Sequence, residues 1–162
     1  MSAMSKTRTR GHVLSTKSIG LISTLLMLLI GVASAAFSQT YQYGDYPVTP
    51  VHFPAGKTTT TIQDSVERGA SATYTFIARE GQHADIQLTT EEDNASFIFY
   101  MPGATISKSE AGYDVSGPTL PSAGLHARAT RWSGRLPVSG KYTLTIQPSR
   151  AGATYHLTVT IK

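Results

Sequence analysis

At 162 residues the chain is long enough for one ordinary domain, and its formal net charge of +4 directs attention to acidic partners. That excess belongs to Lys6, Arg8, Arg10 and Lys17; beyond residue 36, ten Lys and Arg stand against ten Asp and Glu, so the electrostatic argument for nucleic-acid binding falls away. With no cysteine, a disulfide, a lipid-bearing cysteine and a thiol nucleophile are all excluded.

Residues 1–35 have the layout of a secretory signal peptide. A basic start precedes an apolar run from Ile19 to Val32, which ends in the small-x-small pattern Ala33-Ser34-Ala35. An uncleaved anchor is the alternative, since the run approaches spanning length. The small-residue site directly behind the apolar core favours cleavage, and hence a periplasmic or secreted protein that touches membrane only through an uncleaved leader. Residues 36–50 show no period and read as a flexible linker or arm, whose Tyr41, Tyr43 and Tyr46 could cap a sheet edge.

From Val51 to Lys162 the chain repeats turn residues followed by alternation. Thr58–Val66 is Thr-rich and β-branched, as an exposed strand requires. Ser71–Arg79 turns Ala72, Tyr74, Phe76 and Ala78 inward, and Gln82–Thr89 does the same with Ala84, Ile86 and Leu88. Phe97–Met101 is apolar on both faces, which predicts a central strand covered on both sides. Residues 104–125 carry several Gly and Pro and no period, so a long loop is expected. The alternation of 126–136 breaks at Trp132-Ser133-Gly134, which predicts a bulge or bend. After Pro137 and the Ser139-Gly140 turn, Tyr142, Leu144 and Ile146 share one face, and Tyr155, Leu157, Val159 and Ile161 close the chain in the same rhythm. No helix is predicted past the leader. Seven or eight short strands make an all-β fold, a single antiparallel, jelly-roll-like β-sandwich over 51–162.

Catalytic constellations are missing: there is no Gly-x-Ser-x-Gly elbow and no His-Glu-x-x-His pair. His52, His83, His126 and His156 stand singly, and no cofactor or metal is predicted. Glu91-Glu92-Asp93-Asn94 offers oxygens for calcium but lacks the spacing of a dedicated loop, so a solvated turn is the simpler reading. Ser139-Gly140-Lys141-Tyr142 has two compatible readings. Tyr142 shares the inward parity of Leu144, so its ring belongs in the core with its hydroxyl tied to backbone, while the tight turn can project into a partner's cleft. Arg128, Arg131, Arg135 and Arg150 are ordinary surface arginines singly; as a group they supply rigid donor forks suited to carboxylates.

The order Tyr74-x-Phe76-x-Ala78-x-x-Gly81-Gln82, Phe97–Gly103, Leu136-Pro-Val-Ser-Gly-Lys-Tyr142 and the closing Tyr155–Ile161 strand resembles bacterial pre-peptidase C-terminal domains. Within that group the chain is most similar to the periplasmic inhibitors of g-type (goose-type) lysozyme. The resemblance implies a non-catalytic protein-binding role, with the Ser139–Tyr142 turn and Arg150 presented to a lysozyme cleft and the other arginines paired with its carboxylates. The basic residue that those inhibitors carry shortly after the Arg150 position has no counterpart in Ala151-Gly152-Ala153-Thr154. A carbohydrate- or envelope-binding module is the alternative, with Trp132, Tyr100 and the tyrosines at 41–46 as its aromatics. A subunit lending a strand to a partner is a third.

Overall fold

The structure, a computed structural model, describes residues 46–109 and 112–162. The leader read into residues 1–35 and most of the arm lie outside the described residues. Ten strands are formed among them: β1 (Val48–Pro50), β2 (Thr59–Val66), β3 (Ala72–Ala78), β4 (His83–Thr90), β5 (Ala95–Tyr100), β6 (Thr105–Ser109), β7 (Gly112–Ser116), β8 (Arg131–Arg135), β9 (Gly140–Pro148) and β10 (Ala153–Ile161). One four-stranded sheet runs β1-β3-β9-β5, a second β2-β10-β4-β8, and β6-β7 form a separate hairpin. Two sheets packed face to face are a β-sandwich, as the alternation predicts.

The core is the set of inward residues read from period 2. Tyr74, Phe76, Phe99, Tyr142, Leu144 and Ile146 from the first sheet meet Ala84, Ile86, Tyr155, Leu157 and Val159 from the second. Phe76 and Tyr142 stack with centroids 5.8 Å apart, and Phe99 meets Trp132 edge-on at 5.2 Å. Each such pair contributes about 0.5–1.5 kcal/mol beyond simple burial.

Four features depart from the sequence reading. First, the described end of the arm is tied down: Val48–Pro50 pairs in parallel with Thr73–Thr75, and Tyr46 Oη accepts the Glu67 amide at 3.0 Å. Second, the expected 104–125 loop contains the β6-β7 hairpin, registered from Thr105↔Ser116 to Ser109↔Gly112. Its short Ser- and Thr-bearing strands carry too few apolar residues to show a period. Third, β5 is the last strand of its ladder and not a central one. Residues 118–129 cover its open edge through Phe97 N to Ala129 O, Phe99 N to Ala123 O and Leu120 N to Phe99 O bonds, while burial of Phe97 and Phe99 on one face and Ile98 and Tyr100 on the other accounts for apolar residues on both. Fourth, no bulge forms at Trp132. The β4-β8 register runs unbroken from Gln87↔Arg131 to His83↔Arg135. The alternation breaks because a Cβ on Gly134, the next inward position, would lie 3.0 Å from the Trp132 ring that already fills its place.

The outer face of the first sheet is buried too, at Thr73, Thr75, Thr143, Thr145, Ile98 and Tyr100. The hairpin contributes to that cover, since Ser71 Oγ donates to Tyr113 O at 3.3 Å and β7 touches β3.

Candidate functional site

Three turns meet at one end of the sandwich. Gly81 N donates to Leu136 O and Leu136 N to Gln82 O, both at 2.8 Å, which locks the 79–82 turn to the start of the 136–140 turn. Ser139 Oγ accepts the Glu80 amide at 2.9 Å. Gly140 sits at φ 147° with its Cα so close to Pro102 that a Cβ would lie 2.8 Å from the proline ring, so only glycine fits. Tyr142 Oη donates to Val138 O at 2.7 Å, closing a tyrosine corner across the turn. The Tyr142 ring is 0% exposed, so it fixes the turn from below and cannot itself touch a partner. Burial pushes its phenol pKa up; the Val138 bond opposes that shift and the Glu80 charge adds to it.

On this scaffold Ser139 and Lys141 are exposed. Two apolar side chains accompany them that the sequence reading did not single out. Val138 is 42% exposed, and Ile77, opposite Lys141 in the β3-β9 register, is 81% exposed. The available signal was an isoleucine at an outward position of a strand whose other neighbours alternate correctly.

The arginines are not gathered in one place. Arg135 lies near the same end, its Nη1 donating to Gly81 O at 2.9 Å, and Arg131 pairs in register with Gln87 midway along β4. Both line an open groove beside Trp132. Arg128 projects from the edge-covering segment with a left-handed backbone, φ 47°. Arg150 lies beyond the far end of β9, beside Arg68 and Ser149. Gly140 and Pro148 bound that nine-residue strand, which at about 3.4 Å per residue separates the two turns by about 27 Å. Ser139 and Arg150 therefore stand at opposite ends of β9 despite their closeness in sequence.

At the Arg150 end, Asn94 is buried and committed: its Nδ2 donates to Gly152 O at 3.0 Å, while its backbone carbonyl accepts the Ser149 amide at 2.7 Å. Among the described residues no three His, Cys, Asp or Glu side chains gather as a metal set. Tyr100, one of the aromatics expected of a carbohydrate-binding face, is buried. Trp132 is half-buried, with Nε1 donating to Pro121 O at 3.0 Å.

No protein-family model matches this chain, and no curated protein matches its sequence. Solved structures do match. A pre-peptidase C-terminal domain, that of Bacillus anthracis collagenase, superposes only loosely, with TM-score 0.46 and 18% identity over 72% of this chain and 95% of that one. More similar is PliG of Aeromonas hydrophila, a periplasmic inhibitor of g-type lysozyme: TM-score 0.54 and 26% identity, covering 71% of this chain and 96% of PliG. A mutant of the Escherichia coli PliG follows at TM-score 0.51 and 21% identity, covering 70% and 96%.

Proposed function

We propose that the chain is a non-catalytic, periplasmic inhibitor of g-type lysozyme. The observation that carries this reading is the likeness to the Aeromonas hydrophila inhibitor, which extends over nearly the whole of that protein at 26% identity. The contact is assigned to the Ser139–Lys141 end. Its turn is held by backbone bonds and the Tyr142 corner, so it loses little freedom on docking. Ile77 and Val138 supply apolar anchors there, and Lys141 and Arg135 supply cations for the carboxylates that glycoside hydrolases use.

The test is lysis of a cell-wall suspension by goose-type, chicken-type and invertebrate-type lysozymes with the full chain added. Inhibition of the goose-type enzyme near equimolar ratio is expected, and none at large excess would overturn the reading. Ile77→Asp and Lys141→Glu are expected to weaken inhibition by about tenfold or more, as loss of interface anchors does. Arg150→Ala, from the opposite end, is expected to leave it unchanged. The reverse pattern would move the contact to the Arg150 end.

A further inference from the structure

We infer that the groove along β8 is a binding site for an acidic oligosaccharide, a sugar chain bearing carboxylates. The groove has a volume of about 700 Å³, within the range of small-ligand sites. Its wall is apolar at Leu120, Pro121, Pro137 and Trp132, and hydroxyl-bearing at Thr119 and Ser133. Arg131 and Arg135 also line it. Among the described residues neither has a carboxylate within 4.0 Å, and the Arg131 guanidinium has no hydrogen-bond partner. A cavity that joins an indole to two guanidinium groups, neither in an ion pair, calls for a ligand with both a flat C–H surface and negative charge. Sugar rings present the first, and a uronate presents the second in the planar form that an arginine fork grips.

The indole is fixed before any ligand arrives. Nε1 is held by Pro121 O at 3.0 Å, the ring edge meets Phe99 at 5.2 Å, and Gly134 leaves the space in which the ring lies. A second, smaller concavity shares Arg131, Trp132 and Ser133 and extends the shelf to Gln87 and Asp85 on the outer face of β4. Asp85, opposite Ser133 in register, is the one acid on this shelf. It disfavours a carboxylate at its own position and accepts from sugar hydroxyls instead. Ser133 Oγ lies 3.0 Å from His83 Nε2, which extends the polar rim. The charge pattern thus orients the chain, carboxylates toward the arginines and neutral hydroxyls toward Asp85.

Trp132 is the only tryptophan in the sequence, so emission excited on the red edge of the absorption band, beyond tyrosine, reports this groove alone. Titrating the full chain with a glucuronate hexamer is expected to give a saturable change, confirmed by calorimetry, that weakens as salt rises. A neutral glucose hexamer is expected to bind about tenfold more weakly or worse, as is the glucuronate hexamer to Arg131→Gln or Arg135→Gln. Unchanged thermal melting of the exposed Arg131→Gln variant shows that its fold is intact. No saturable binding by either method, equal binding of the neutral hexamer, or unaltered affinity in both arginine variants would overturn the assignment. Lysozyme inhibition is not involved in the readout, so the two proposals stand or fall separately.

Discussion

The hydroxyl of Tyr142 reaches back four residues and donates to the carbonyl oxygen of Val138 at 2.7 Å. One bond thereby joins a fully buried ring of the core to an exposed apolar residue of the contact turn. Packing on Phe76 and Phe99 holds the ring, the ring holds the hydroxyl, and the hydroxyl sets where Val138 and Ser139 stand.

Tyr142→Phe isolates that link, because it keeps the ring and removes only the bond. A loss of about 0.5–1.5 kcal/mol in stability is expected, read as a lower urea midpoint with unchanged slope. Lysozyme inhibition should fall by more than the stability change explains, since the turn is no longer held in one arrangement. Full potency in a folded Tyr142→Phe protein would show that the corner supports the fold alone.

Much of this arrangement was legible in the sequence, and the gaps have physical causes. Tyr142, Leu144 and Ile146 announced their face by parity, and Ser139-Gly140 announced a turn, because a half-buried strand and a left-handed glycine each leave a local mark. The β6-β7 hairpin left none: it lies on a sheet face and closes no core, so its residues need not alternate apolar and polar. Trp132 and Gly134 share a face, but one side chain occupies both places, which looks like broken alternation when read one residue at a time. Arg150 follows Tyr142 by only eight residues, yet an extended strand converts those residues into the length of the sandwich. Residues grouped by their nearness in sequence therefore lie at two ends of the sandwich.

A second prediction concerns the outer face of the first sheet. Thr73 and Thr145 are opposite each other in register and nearly fully buried, and neither Oγ1 has a hydrogen-bond partner among the described residues. A buried hydroxyl without a partner costs about 1–3 kcal/mol, and valine has the same shape and an equal liking for strands. The double variant Thr73→Val/Thr145→Val is expected to be more stable by about 1–3 kcal/mol in urea unfolding. Lower stability would show that these hydroxyls are paired in solution.

A third prediction follows from the pair Tyr74 and Tyr155. Their hydroxyls lie 2.7 Å apart deep in the core, and Tyr74 Oη also donates to Asp64 Oδ2 at 2.8 Å. Burial is the main cause raising both phenol pKa values; Asp64 adds to each, while the Tyr74 bond partly offsets the shift at Tyr155. The folded protein therefore holds these two protons more tightly than the unfolded chain, whose tyrosines ionise near pH 10. Stability from this source is complete below about pH 10. Above that, it falls by about 1.4 kcal/mol per pH unit for each tyrosine that unfolding would ionise. With two such groups, a domain of ordinary stability should unfold cooperatively within a few units above pH 10. The phenolate absorbance of the buried tyrosines should appear together with loss of the sheet signal in circular dichroism. Tyr155→Phe should flatten the dependence of stability on pH above 10 by one proton, after allowance for its lower starting stability. If the sheet signal persists after every phenol has ionised, Tyr74 and Tyr155 reach solvent without unfolding, and the core around them is looser than its geometry implies.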